Sequence, residues 1–406
     1  MTSSRSTETA GASRRPDTLP LVLFIISLCG LASTVAYRSM DPLVTSVARE
    51  FAVAVTTAAL LSSAYALPFA LGQPILGPIG DVFGKGRLLI ICLWVLCATL
   101  VLGAFSTSFE MMIVLRFVGG LAGGGTMPVA MAMIGDRFAP DKRQVAIARF
   151  LAAALIGQVF ASSLAGFLAI TVGWRGFFLL AAGVTFIAAC GATWKFREPR
   201  DLDRPPFSVA GALGRYKLVF ANPKALLCFG TVFIEAIAIF GATPYIAEIL
   251  ESGKLGGPRE AGMVIAGIGV GGLLYSFVVG PLTRAFSRIQ MMAWGGIIGA
   301  LALAGAAFAP GWLSLAILFT VLGFGFVLLH NSVQTEVASL APAARASAYS
   351  MHAFAFFLGQ AIGPVVFGAG MHSIGTSAML LINAVILCAV GLGAAALFAR
   401  HGSDLD

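Results

Sequence analysis

Apolar stretches, each about as long as the roughly 20 residues that a ~30 Å bilayer core asks of a helix, follow one another along almost the whole chain with short polar breaks between them. The pattern predicts spans at 19–42, 54–79, 88–106, 109–134, 147–172 and 176–194, a charged linker at 195–224, and further spans at 225–247, 261–282, 290–309, 312–335, 346–370 and 376–399. Six spans on each side of the linker make an N-terminal bundle at 19–194 and a C-terminal bundle at 225–399. Residues 1–18 are polar and rich in Ser and Thr, and are expected to form a disordered cytoplasmic tail. No small-residue cleavage site follows a short apolar run there, so they do not read as a signal peptide. Residues 400–406 are expected to be a second cytoplasmic tail.

Composition makes a soluble reading untenable. Of 406 residues 58% are hydrophobic and only 11% charged, with a mean hydropathy of +0.93, whereas about a quarter of a soluble domain is charged. The net charge of +8 points to a membrane orientation rather than to nucleic acid, because position matters more than sum. Twenty of the 26 Lys and Arg fall in the tails, the linker and alternate loops, five fall in the opposite loops, and Arg116 lies inside a span. The positive-inside rule then puts both termini in the cytoplasm, in a bacterial-style inner membrane. The six cysteines all lie in apolar segments without a CxxC pair and read as small hydrophobes. A monomer is expected.

The chain also repeats itself. GPIGDVFGKGR at 77–87 returns as GPLTRAFSRIQ at 280–290, offset by 203, and Gly157-Gln158, Gly166, Pro140, Arg143 and Pro42 return as Gly359-Gln360, Gly368, Pro342, Arg345 and Pro244, offset by 202. A nearly constant offset across separated sites predicts two parallel six-helix repeats.

On these residues the chain resembles the major facilitator superfamily over essentially its whole length. GPIGDVFGKGR is similar to that superfamily's signature G-x-x-x-D-x-x-G-[RK]-x-[RK]; Arg116-Phe117 with Gly119-Gly120 resembles its fourth-helix Arg-Phe-x-x-Gly; Gly173-Trp174-Arg175 resembles the turn before its sixth helix. The tract from Tyr37 to Asp81 is most similar to the twelve-helix drug and metabolite proton antiporters. Those antiporters carry G-x-x-x-G-P-x-x-G-G in helix five, where residues 157–166 here read GQVFASSLAG, with Ala161 and Ser162 in place of the inner Gly-Pro. The resemblance implies an all-α membrane protein with twelve transmembrane helices. It further implies that Asp81, with Gly84, Lys85 and Arg87, forms a conformational latch, and that Arg116 takes part in proton coupling.

Ionisable groups inside spans mark functional sites. Counted from Ala225 at 1.5 Å per residue, Glu235 lies about 15 Å in, near the midplane, where transporter sites sit. It is the leading candidate for a proton carrier or a counter-ion. Arg38 and Asp41 share a helix face at the outer end of span one, and Arg38 reads as a snorkelling interfacial cation. Arg116 sits about 10 Å deep by the same count and needs a carboxylate; Asp41 is the nearest by depth, so an Arg116–Asp41 pair is expected, with Asp41 a proton-coupling candidate if the pair's protonation changes with state and a permanent ion pair the alternative. Ser33, the repeat counterpart of Glu235, and Arg38 are further candidates to line the substrate cavity. Tyr65, Gln73, Gln158 and Gln360 are polar groups in apolar spans and, with His330 and Gln334 at i, i+4, are candidates to line the cavity or to bond between helices; His352 lies in the inner third of span eleven. The glycines of span four, Gly119 to Gly125, read as a close-packing surface. FSVAGALGRYKLVFA at 207–221 in the linker is apolar enough to lie along the inner leaflet, a solvated tether being the alternative.

No two His have ligand spacing on one helix, and no nucleotide loop or nucleophile triad occurs. Neither a metal, a cofactor, an enzyme nor an ATP-driven pump is expected. What remains is a secondary transporter that exchanges protons for a small organic molecule across the bilayer by alternating access. Export is the leading direction, proton-linked uptake the second, and a non-transporting sensor a remote third. Only Glu235, Asp41, Arg38 and Arg116 stand out inside the spans and they nearly balance, which favours an uncharged, amphipathic or monocationic substrate over a polyanion.

Overall fold

The structure, a computed structural model, describes residues 19–197 and 209–403. The N-terminal tail expected to be disordered, the central part of the linker and residues 404–406 lie outside the described residues. The helices are α1 (Leu19–Arg38), α2 (Val44–Glu50), α3 (Val55–Phe83), α4 (Lys85–Ala104), α5 (Phe109–Arg137), α6 (Pro140–Ala169) and α7 (Gly173–Phe196). After α8 (Val209–Phe220) come α9 (Lys224–Phe240), α10 (Ile246–Ser252), α11 (Pro258–Ala285), α12 (Arg288–Ala306), α13 (Trp312–Leu340), α14 (Arg345–Ile374) and α15 (Thr376–Ser403). No strand occurs among the described residues, where twelve segments are long and apolar enough to cross a membrane.

The repeat offset holds for the elements themselves. A tight 3-10 turn at Asp41–Leu43 joins α1 to α2, and its copy at Thr243–Tyr245 joins α9 to α10, 202 residues on. Pro42 and Pro244 open these turns; a proline has no N–H to donate, so the helix breaks there and rewinds. The first and seventh spans therefore run on to Glu50 and Ser252, beyond the ends at 42 and 247 that hydropathy predicts, because the polar last turns of α2 and α10 read as loop. Within each half the packing is alike: α3 against α5, and α4 against α5 and α7, match α11 against α13, and α12 against α13 and α15.

Glycine sets how close the helices lie. A Cβ at Gly120 would stand 2.2 Å from the Tyr65 carbonyl oxygen, and one at Gly124 2.4 Å from that of Phe69, so α3 and α5 touch backbone to backbone in the manner of small-residue membrane contacts.

Helices of opposite halves meet as α3 with α14 and α6 with α11. We call the side carrying Leu19 and Arg400 the terminal face and the other the distal face. At the distal face the halves are shut: a Cβ on Gly166 would come 2.3 Å from the Pro258 carbonyl, and one on Gly262 2.4 Å from that of Ser162. Arg49 Nη2 bonds Glu251 Oε1 at 2.9 Å, with the Thr45 hydroxyl donating to the same oxygen at 3.2 Å. Towards the terminal face the contact ends. The first half of α11 is largely buried, yet from Ser276 to Phe286 no residue is. A helix with no buried residue over that length is not packed against the opposite half, which leaves a cleft between the halves at the terminal face.

The linker helix α8 lies at the terminal face and packs on α9 and α14, so this part of the linker is not a solvated tether. Its Tyr216 hydroxyl donates to the Pro74 carbonyl of α3 at 2.8 Å, and Asn222, just beyond it, donates to the Leu340 carbonyl at the end of α13 at 3.1 Å. Burial raises the pKa of the Tyr216 phenol.

Candidate functional site

The polar groups form two layers separated by aromatic rings, one between the halves and one among helices of the C-terminal half. The distal layer stands where α1 turns into α2. Arg38 Nη1 lies 3.6 Å from Asp41 Oδ2, and Asp41 Oδ1 accepts from the Ser62 hydroxyl at 2.7 Å. The Arg38 guanidinium sits over the rings of Phe240 (4.6 Å) and Tyr37 (4.9 Å). It is buried, at 6% exposure; it faces the interface between the halves, and the snorkelling expectation is overturned. Tyr37 spans the interface, donating to Gln360 Oε1 at 3.0 Å. These groups, with Ala66, Thr243, Pro244 and Pro364, line a cavity of about 10 Å³, room for about one water.

Arg116 does not pair with Asp41. Its Nε donates to the Leu61 carbonyl at 3.3 Å, and its Nη1 to the Ala36 carbonyl (3.1 Å) and the Ser39 hydroxyl (3.2 Å). Its guanidinium rests 4.2 Å over the Tyr65 ring, and Nη2 has no partner among the described residues. The carboxylate goes instead to Arg38, which the 3-10 turn brings onto the same side of the helix. Tyr65 meets Tyr37 edge to face at 5.5 Å, so the two arginines are bridged by two tyrosines.

Beneath lies an aromatic floor. Phe69 of α3 meets Phe357 of α14 at 4.5 Å, Tyr37 contacts both, and Phe356 continues the floor to Phe326 and Phe240.

The second layer is a chain of three titratable groups from α9, α13 and α14. Glu235, wholly buried, has Oε2 3.1 Å from His330 Nδ1, and His330 Nε2 lies 3.2 Å from His352 Nε2. Glu235 Oε1 and His352 Nδ1, the two ends, lack partners among the described residues. With Glu235 ionised, His330 Nδ1 carries its proton and His352 Nε2–H donates onward to His330. A proton added at His352 Nδ1 is passed along by reversing each bond, the Nε2 proton moving to His330 and the Nδ1 proton of His330 moving to Glu235. The chain can thus hold one extra proton with every internal bond intact. His330 is the member that meets the open side, 14% of its side chain being exposed.

The other expected site residues divide. Ser33 donates to the Gly123 carbonyl at 3.2 Å and Gln73 to that of Gly124 at 3.0 Å, both buried between helices of the N-terminal half; they bond helices together and do not line the cavity. Gln158 and Gln334 are half-buried on α6 and α13. Around the expected latch, Gly84 takes φ +97° where α3 gives way to α4, a conformation that favours glycine. Lys85 pairs with Asp136 at the end of α5, 2.7 Å, and Arg87 is half-buried in the first turn of α4. The Asp81 side chain lies outside the described side chains. The second half has an analogous link, Arg288 of α12 with Glu336 of α13.

Sequence reasoning missed Tyr37, Ser62, Phe240, Thr243 and the Arg49–Glu251 contact. The offset of 202 could have found several: it maps Arg38 onto Phe240, Asp41 onto Thr243 and Arg49 onto Glu251, and positions equivalent by repeat meet near the axis relating the halves.

Comparison with known proteins agrees with this architecture. A family model described as Major Facilitator Superfamily matches residues 26–257 and 227–404. Among curated relatives, the MFS transporter fsa7 of Fusarium sp. (strain FN080326) is 27% identical over 77% of this chain and 71% of its own. The uncharacterized MFS-type transporter YybF of Bacillus subtilis (strain 168) is 24% identical over 88% and 89%, and the efflux pump FUB11 of Gibberella moniliformis (strain M3125 / FGSC 7600) is 26% identical over 61% of this chain and 47% of its own. Two solved structures share the fold. The nucleoside transporter NupG superposes with a TM-score of 0.77 at 15% identity, covering 93% of this chain and all of that one. A bacterial homolog to the human lysosomal transporter Spinster, inward-facing and unoccupied, gives 0.72 at 17% identity, covering 94% and 98%.

Proposed function

We propose that this chain, which belongs to the Major Facilitator Superfamily, is a secondary transporter that exports a small organic molecule in exchange for protons. The observation that carries the coupling is the Glu235–His330–His352 chain, a proton store with unpartnered ends held among helices of the C-terminal half beside the aromatic floor, near the depth where such transporters bind their ions and substrates. Alternating access is a rocking of the two six-helix halves about the layered site, with the distal face shut and the terminal face open in the state described. The terminal face is cytoplasmic by the distribution of Lys and Arg, and the membrane is the bacterial inner membrane; Arg116 and Asp41 assist coupling from the distal layer. Asp81, Gly84, Lys85 and Arg87 act as the latch of the cytoplasmic face. Relatives named as efflux pumps support export. Proton-linked uptake is the second reading, favoured by Ala161-Ser162 where antiporters carry Gly-Pro.

The test is purified protein in liposomes, with an internal pH dye and a panel of small organic acids, amines and neutral amphiphiles. A substrate should move protons opposite to its own flux. Glu235→Gln should abolish accumulation against a gradient while downhill exchange persists, because an amide cannot release a proton in one state and rebind it in the other. If Glu235→Gln still concentrates substrate, the coupling site has been misassigned; proton flux in the substrate's own direction would establish the second reading.

A further inference from the structure

The distal layer has unpartnered donors and more positive than negative charge. Arg38 presents five N–H groups, yet among the described residues it makes no hydrogen bond; its contact with Asp41 is 3.6 Å. Gln360, buried at 4% exposure, leaves Nε2 without a partner. Turning the amide over does not cure this, since Tyr37 and Gln360 hold three donor hydrogens between them and share one bond. Nearby wall carbonyls already accept one bond each, that of Phe240 from the Thr243 hydroxyl and that of Pro364 from Tyr245. In charge, Arg38 and Arg116 stand against Asp41 alone, because Glu235 is engaged with His330 in the other layer. The near balance expected from the sequence counted Glu235 into the same site; the structure separates it, leaving one uncompensated buried cation in the distal layer.

A group that only accepts, carries one negative charge and matches a planar guanidinium would satisfy all of these at once. Resting on the transporter reading above, we propose that the pocket between Arg38 and Gln360 takes the carboxylate of a small organic monoacid. The guanidinium has enough donors for Asp41 and for a bidentate substrate carboxylate together, and Gln360 supplies a further N–H. The organic body lies on the rings of Tyr37, Phe240, Phe69 and Phe357, which offer apolar contact and no charge. A cavity of about 10 Å³ admits no organic molecule as it stands, so the rings part on loading from the terminal-face cleft.

The experiment is equilibrium binding to the purified full chain, by calorimetry or thermal shift without any gradient, using benzoate, phenylacetate and hexanoate against their amides and against benzylamine. At least one acid should bind about tenfold or more tightly than its amide, the scale of a charge-assisted hydrogen bond, and benzylamine should not compete. Arg38→Gln and the isosteric Gln360→Glu should each lower that affinity about tenfold or more, while Asp41→Asn should tighten it by removing a competing anion; unliganded melting curves check that each variant folds. Acids that bind no better than their amides, benzylamine that binds in their place, or an Arg38→Gln variant with unchanged affinity would each overturn the proposal. Its failure is separable from that of the coupling reading. Acid binding without proton movement in liposomes would spare this site and sink the exchange, and proton-driven transport of an amine would do the reverse.

Discussion

Arg49 and Glu251 occupy the same position of the two repeats and bond each other across the interface, Nη2 to Oε1 at 2.9 Å. One sequence position, read twice, has acquired opposite charges and closes the distal face. The pair is partly open to solvent, 64% and 31% exposed, so its contribution is small, about 0.2–1 kcal/mol.

That size fixes what its loss does. Arg49→Gln should shift the balance between closed and open distal faces by no more than about fivefold, seen by electron–electron distance measurement between spin labels on the distal turns. The exchanged pair Arg49→Glu with Glu251→Arg should restore it, and a failure to restore would assign the closure to backbone packing alone.

Backbone packing is the stronger element. Gly166→Ala places a methyl 2.3 Å from the Pro258 carbonyl, an overpacking that costs about 1–3 kcal/mol, borne only when the distal face is shut. Transport should fall steeply while the protein still folds, and a cysteine placed in the distal cleft should become more reactive. Normal turnover in this variant would show that the distal contact is looser in the working protein.

Arg116 tests how its charge is held. Its fork meets two carbonyls and a hydroxyl and lies over a ring, a geometry that an ammonium cannot reproduce. Arg116→Lys should lower the apparent melting temperature by the equivalent of about 1–3 kcal/mol, and because Asp41 pairs with Arg38 and Ser62 instead, the losses of Arg116→Lys and Asp41→Asn should add in the double variant. A double variant no less stable than the worse single one would point to a pair between them that the structure does not contain.

Orientation rests on the split of twenty basic residues against five. Reporter fusions after Arg400 and within 200–206 should both register cytoplasm; a signal from outside at either point would reverse the direction of transport inferred here.

Spans, repeats and fold class were legible in the sequence because bilayer thickness and proline placement leave marks at single positions. The site was legible along the membrane normal and, for Arg38 and Asp41, around one helix face, but not between helices. Counting 1.5 Å per residue gave Arg116 and Asp41 similar depths, but depth says nothing of which way a helix is turned, and the carboxylate faces Arg38. Glu235 stood out by its charge alone, while its partner His330 lies 95 residues away on another helix, a pairing that no local spacing announces. Tyr37 and Phe240 carry no charge and look like any other aromatic residue of a span. Their roles come from meeting at the axis, which the repeat offset encodes for Phe240 and does not for Tyr37.

The linker helix α8 has a mechanical meaning. Tyr216 is tied to the N-terminal half and Asn222 to the C-terminal half, and the helical rise over the residues between them spans only about 9 Å. Such a short leash sets the aperture of the terminal face: while both knots hold, the halves can pivot around α8 but cannot part there by more than its reach. How wide a molecule the cleft admits is then limited by a connector that touches none of the chemistry.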